Sequence, residues 1–287
     1  MATLREIRQR IKGIKSTQQI TKAMKMVAAA KMRRAQESMF SARPYANKIK
    51  ELGQHLVASL ENPQLPLLQE RPIQRLHLVV VTADRGLCGS FNSNVIKKTI
   101  SEYNANKGLE ISLINVGRKG HDFFRKRNYT VAEKYINIFG ELRLAHAEQI
   151  SNFLMNEFIS GRTDAVRIIY NEFKSVAHQH LVMEELLPLR VPKSEEVHPI
   201  DYLYEPDQEA LLKALLPRYV KVQVWKALLE SYAAEQAARM LAMENATDNA
   251  NELIHKLTLE FNKARQAAIT KEILEIVGGA EALKSAS

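Results

Sequence analysis

The sequence predicts an α/β protein in which two long helices, one from each end of the chain, pair as a coiled coil and a mostly parallel α/β domain is inserted between them. Three observations predict it. Arg218–Val277 contains neither Gly nor Pro, the residues that most often interrupt helices. Residues 3–43 carry a matching apolar seam. Between the two, β-branched runs alternate with helical patterns at the spacing of βαβ units.

At 1.5 Å per residue, the Arg218–Val277 run makes a helix on the order of 90 Å long. Gln236, Met240, Met243, Thr247, Ala250, Ile254, Leu257, Phe261, Ala264 and Ala268 recur by steps of three and four, the seam for one partner helix. Propensity alone does not hold such a helix, so a second long helix is required. The N-terminus supplies it: Leu4, Ile7, Ile11, Ile14, Gln18, Thr21, Lys25, Ala28, Met32, Ala35, Met39 and Ala42 keep the same rhythm. Gly13 is the only interruption before Arg43-Pro44, and one interior Gly costs about 1 kcal/mol. Ile49, Leu52, Leu56 and Leu60 extend this helix past a kink at Pro44, and Asn62-Pro63 with Pro66 ends it. Beyond Ala268 the seam would continue at Lys271 and Glu275, whereas apolar character moves to Ile269, Ile273, Ile276, Ala280 and Leu283. The last turns are therefore expected to outrun the partner helix and present an apolar stripe to another protein.

The domain boundaries expected are 1–62 for the first coiled-coil helix, 74–190 for the inserted domain, 191–217 for a connecting loop and short helix, and 218–287 for the last helix. In the inserted domain Leu76–Thr82 reads as a buried strand, Ala83–Ser90 as a loop and 92–106 as a helix. Strand 110–116, turn 117–120, helix 121–127, strand 131–138, helix 142–160 and strands 165–170 and 180–187 follow, a Rossmann-like order. Pro188, Pro192, Pro199 and Pro206 mark an extended segment, then a helix over 207–216 precedes Pro217, placed at the start of the final helix.

With 46% hydrophobic and 25% charged residues in 287, the chain reads as folded rather than disordered. No apolar run approaches the ~18 residues needed to cross a bilayer. Residues 1–20 lack the apolar core of a signal peptide, and the single cysteine, Cys88, excludes an internal disulfide and a multi-cysteine zinc site, so a cytoplasmic setting is expected. The net charge of +9 is concentrated early: Arg5, Arg8, Arg10, Lys12, Lys15, Lys22, Lys25, Lys31, Arg33 and Arg34 face only Glu6 and Glu37 in residues 1–40. Such a helix suits nucleic acid, an acidic membrane surface or an acidic protein.

Motifs for covalent chemistry are scarce. Gly86-Leu87-Cys88-Gly89-Ser90 opens a helix after a strand but is neither G-x-G-x-x-G, a P-loop nor a nucleophile elbow. Cys88 has no assignable base and reads as a small buried side chain. His178 and His180 share a strand face near Glu184 and Glu185 without a third ligand at diagnostic spacing. No cofactor, catalytic residue or metal site is expected.

Several segments resemble the gamma subunits of F-type ATP synthases. They are Ile20–Ala29, Lys31-Met32, Arg43-Pro44-Tyr45, Asp84–Gly89, Asp201–Pro206, Glu235–Met240, Ala246–Asn249, Asn262–Ala267 and Ile269-Thr270. Ala30 and Ala83 depart from residues common in the family, and the paired cysteines of chloroplast members are absent, which points to a bacterial type. The resemblance implies a rotor shaft: an antiparallel coiled coil inside an alpha/beta hexamer, with the globule against epsilon and the membrane c-ring and the ATP chemistry on beta. It also implies one copy per complex, peripheral to the cytoplasmic face of the bacterial membrane. By motif, Met24 and Lys25 face the hexamer with Arg265, Gln266 and Thr270 opposite, and Tyr202, Tyr204 and Glu205 contact the c-ring or epsilon. Arg265 suits charge-assisted hydrogen bonds to acidic loops of beta. Two other readings stand beside it, a basic coiled-coil adaptor binding nucleic acid and a nucleotide-dependent enzyme using the α/β globule.

Overall fold

Helix α1 (Leu4–Ala58) and the last helix, α5 (Gln208–Ser285), come from the two ends of the chain in the computed structural model, which describes residues 3–58, 65–190 and 207–285. Two compact units result, one from the chain ends up to Val27 and from Ala242, the other from Ala28–Leu241.

The first unit is an antiparallel helix pair. Between Thr3 and Ala23 the only residues not exposed are Leu4, Ile7, Ile11, Ile14, Gln18 and Thr21. Between Ala250 and Thr270 they are Ala250, Ile254, Leu257, Phe261, Ala264 and Ala268, so each seam is the one the spacing predicts. The Arg8 guanidinium lies 5.4 Å from the centroid of the Phe261 ring. The middle of the pair is polar: Gln18 donates to the Asn251 side chain, and the Thr21 and Thr247 hydroxyls are 2.7 Å apart. Polar pairs inside a seam fix register, because a slip leaves them unsatisfied.

The second unit is built on a five-stranded sheet. Its elements are β1 (Arg75–Val81), α2 (Phe91–Ala105), β2 (Glu110–Val116), α3 (Arg118–Arg125), β3 (Val131–Tyr135), α4 (Leu144–Ile159), β4 (Ala165–Phe173) and β5 (Gln179–Leu187). The strand order is β3-β2-β1-β4-β5, parallel except for the last pair. Side chains alternate between two buried faces. Val79, Val81, Ile114, Val116, Ile168 and Tyr170 pack with Ile150, Leu154 and Phe158 of α4 and with Leu212, Leu216, Val220 and Val224 of α5. Leu76, Leu78, Val80, Leu113 and Ile169 pack with Val95 of α2 and Phe124 of α3 on the other face.

The mostly parallel sheet is as expected, with β5 its one antiparallel strand. The connection between β4 and β5 spans only Lys174–His178, too short for a crossover, so β5 turns back antiparallel. Two other expectations need correction. Residues 118–120 are the first turn of α3 rather than a loop. Gly117, at φ 94°, makes the turn, and the Asp84 carboxylate accepts the Arg118 N–H at 3.0 Å. Pro217 lies inside α5 instead of at its start. Proline inside a helix costs about 3 kcal/mol, yet Leu212, Leu216, Val220 and Val224 form an unbroken buried stripe across it that offsets this. The expected end of the first helix at 62–63 and the segment 191–206 lie outside the described residues.

Candidate functional site

The helix pair carries most of the residues singled out from the sequence. Met24 is half-buried, and Lys25 places Nζ 2.5 Å from Oε1 of Glu244. Arg265, Gln266 and Thr270 are exposed on α5, on either side of the seam residues Ala264 and Ala268. The Thr270 hydroxyl donates to the Gln266 carbonyl at 2.9 Å, and Arg265 makes no ion pair among the described residues. The two groups are not opposite one another. Glu244 is the residue opposite Lys25, and Arg265 lies about six helical turns, or about 30 Å, further along α5. The antiparallel register separates them; the sequence motifs alone carried no information on it.

Beyond Ala268 every residue from Ile269 to Gly278 is exposed, including Ile273 at 54%, Leu274 at 66% and Ile276 at 71%. Ile20, Met26 and Val27 are exposed on α1 as well. Ile269, Ile273, Ile276 and Val277 recur at successive turns of α5, so the exposed apolar surface there is contiguous rather than scattered.

In the Ala28–Leu241 unit, the loop after β1 stands where doubly wound folds bind phosphates, at the carboxyl ends of the strands. At the carboxyl end of the neighbouring strand, β2, the protein itself closes the N-terminus of α3. Of the first amides of α3, Arg118 N–H goes to Asp84, Lys119 N–H to the Ala83 carbonyl at 3.1 Å, Gly120 N–H to the Thr82 hydroxyl at 2.9 Å and His121 N–H to the Gly117 carbonyl. None of them is left for a phosphate. Asp84 also accepts the amides of Asn137 and Phe139, at 2.7 and 3.2 Å. On the other side of the loop, Ala83, Cys88 and Phe91 pack on Ala234 and Ala238 of α5. Cys88 is buried there, burial pushes its thiol pKa up, and Asn92 donates to its sulfur at 3.2 Å, the environment of an inert thiol.

His178 and His180 are both exposed on or beside β5. His180 is paired in register with Glu172, whose carboxylate is engaged by Lys174 at 2.9 Å, and the described residues contain no cluster of three metal-ligating side chains. Tyr202, Tyr204 and Glu205 lie outside the described residues.

A family model described as ATP synthase matches residues 3–283. The ATP synthase gamma chain of Chloroherpeton thalassium is 49% identical, with 100% of each chain covered. That of Desulforamulus reducens is 47% identical over 99% of this chain and 100% of its own. The chain belongs to the ATP synthase gamma chain family. Among solved structures, a chain of the Tetrahymena thermophila mitochondrial ATP synthase central stalk and c-ring is 30% identical, covers 79% of this chain and 99% of its own, and has a TM-score of 0.62. A chain of the Euglena gracilis mitochondrial ATP synthase has a TM-score of 0.70 over 98% of this chain and 95% of its own; at 22% identity it speaks for the fold alone. Nothing in these likenesses supports the nucleic-acid adaptor. No helix among the described residues is long and apolar enough to cross a membrane.

Sequence reading missed one constellation in this gamma-family chain. Glu235 and Arg239 of α5 form a buried ion pair, and the Arg239 guanidinium donates to the carbonyls of Gly86 at 3.2 Å and Arg85 at 3.5 Å. Their i,i+4 spacing was the available signal. Burial raises the Glu235 pKa, against the pull of Arg239.

Proposed function

We propose that this chain is the central stalk of an F-type ATP synthase, the rotor that couples ion flow through the membrane c-ring to ATP synthesis and hydrolysis on the beta subunits. The observation that carries this reading is the similarity to gamma chains, at 49% identity with 100% of each chain covered. The helix pair supports it physically. Its polar and apolar seam resists slip, and its exposed faces are unevenly decorated with Ile20, Met26, Val27, Leu253 and Leu259. A rotating partner shifts each beta subunit among its states only through contacts that differ between them, and uneven decoration supplies the difference.

The chain itself carries no ATP chemistry; its role is to turn and to be contacted. Met24 and Lys25 meet the alpha/beta hexamer at one level of the shaft, and Arg265, Gln266 and Thr270 meet it at another. The exposed turns beyond Ala268 occupy a collar of the hexamer. Tyr202, Tyr204 and Glu205 contact epsilon or the c-ring, so membrane association is indirect, on the cytoplasmic face. One copy serves each complex.

The test is to mix the full chain with alpha and beta subunits and isolate what forms. A stable ATPase complex of fixed stoichiometry, with one copy of this chain and no ATP turnover by the chain alone, is expected. Turnover by the isolated chain, or its failure to join alpha and beta, would overturn the reading.

A further inference from the structure

The turn Arg85-Gly86-Leu87 is held from beneath by α5. Arg85 and Leu87 are exposed, Leu87 at 64% and in the left-handed region at φ 64°. A non-glycine residue keeps that conformation only where its surroundings impose it. Two sets of contacts impose it here. Cys88 and Phe91 pack on Ala234 and Ala238, and Arg239 hydrogen-bonds the Arg85 and Gly86 carbonyls. Arg239 is itself fixed by Glu235, a carboxylate only 4% exposed that also accepts from the Gln236 amide. An arginine bound to a buried carboxylate has its rigid fork of donors aimed before the turn arrives.

We propose that the Glu235–Arg239 pair is a latch that locks the Arg85–Leu87 turn to α5, so that helix and turn move as one piece when the rotor turns. Both are positioning residues, acting through the turn they hold. The proposal rests on the rotor reading for its consequence, while the latch itself is a property of the isolated chain. A hydrophobic pair of similar volume would keep α5 buried at this point but give the Arg85 and Gly86 carbonyls no donor.

Cys88 is the only cysteine of the chain and lies buried directly after the turn, so its labelling by a thiol reagent reports opening of the turn without any added probe. The variants are Arg239→Gln and the double replacement Glu235→Gln with Arg239→Met, which leaves no buried charge unpaired and keeps the test available where the single variant fails to fold. In the folded full chain at neutral pH, labelling is expected to accelerate at least about tenfold in either variant, with the thermal midpoint of the double variant close to that of the parent. In the assembled membrane complex, the same variants are expected to lower the ratio of proton pumping to ATP hydrolysis. Unchanged Cys88 labelling in a folded variant overturns the latch. Faster labelling with an unchanged pumping ratio overturns its role in rotation. A parent chain that supports no coupled pumping at all overturns the rotor reading and leaves the labelling result standing.

Discussion

The ammonium of Lys25 lies 2.5 Å from the Glu244 carboxylate, and this pair, with Thr21 and Thr247 one turn away, joins α1 to α5 through side-chain polar groups. Both members are about two-fifths exposed, so the pair is worth little in stability, within about 1 kcal/mol. Its sign is nevertheless testable. Lys25→Glu sets two carboxylates face to face and should lower the thermal midpoint of the full chain. Adding Glu244→Lys should restore it. A double variant no more stable than Lys25→Glu would show that the two side chains do not interact in solution.

Gly117 should tolerate no side chain. At φ 94° it is already in a region L-residues rarely adopt, and a Cβ there would overlap the Thr82 carbonyl oxygen. Gly117→Ala is expected to cost on the order of 3–5 kcal/mol, read from urea unfolding of the full chain. A loss below about 1 kcal/mol would mean that the turn into α3 relaxes freely.

Asp164 gives the sheet an acid-sensitive edge. Burial pushes its carboxyl pKa up, but the amides of Arg75 and Gln74 and the Arg75 guanidinium outweigh this and hold it below the ordinary carboxylate range. A group with a depressed folded pKa contributes stability present above its unfolded pKa and lost as pH falls through the folded one. Asp164→Asn should therefore cost about 1–3 kcal/mol at pH 7 and progressively less as pH falls below about 4. An equal loss at both ends of that range would contradict the assignment.

Arg265→Ala combined with Gln266→Ala should leave the fold intact, because both side chains are exposed, and should weaken assembly or coupling. ATP-driven proton pumping by the reconstituted complex is the measurement, and an unchanged rate counts against the contact. Deleting residues 277–287 should likewise preserve the unfolding transition, since the ten residues from Ile269 to Gly278 already lie exposed past the last seam position.

Much of this fold is legible in the sequence because its long elements obey one period for many turns. The seams at Leu4–Thr21 and Ala250–Ala268 repeat a three-and-four step that only a single helical partner satisfies, and each predicted position is the less exposed one. Local exceptions were harder to read. Pro217 signals a helix start by its own chemistry, and only the sheet beneath Leu216 and Val220 overrides it. The antiparallel turn of β5 was available from the short Lys174–His178 connection. The register of the pair, which separates Lys25 from Arg265, was implicit in where the two seams end, at Leu4 and Ala268, and not in the motifs that set the two groups opposite. No local pattern encodes the Arg239 bonds to the Arg85 and Gly86 carbonyls, which join residues far apart in sequence.

The central claim is that this chain turns within its complex, and rotation itself is the most direct measurement. With alpha and beta fixed to a surface and a bead attached through a cysteine introduced at exposed Ser101, in a chain whose Cys88 is replaced by Ala, ATP should drive unidirectional rotation that stops when ATP is exhausted. A bead that stays fixed relative to alpha and beta while the complex hydrolyses ATP would contradict it.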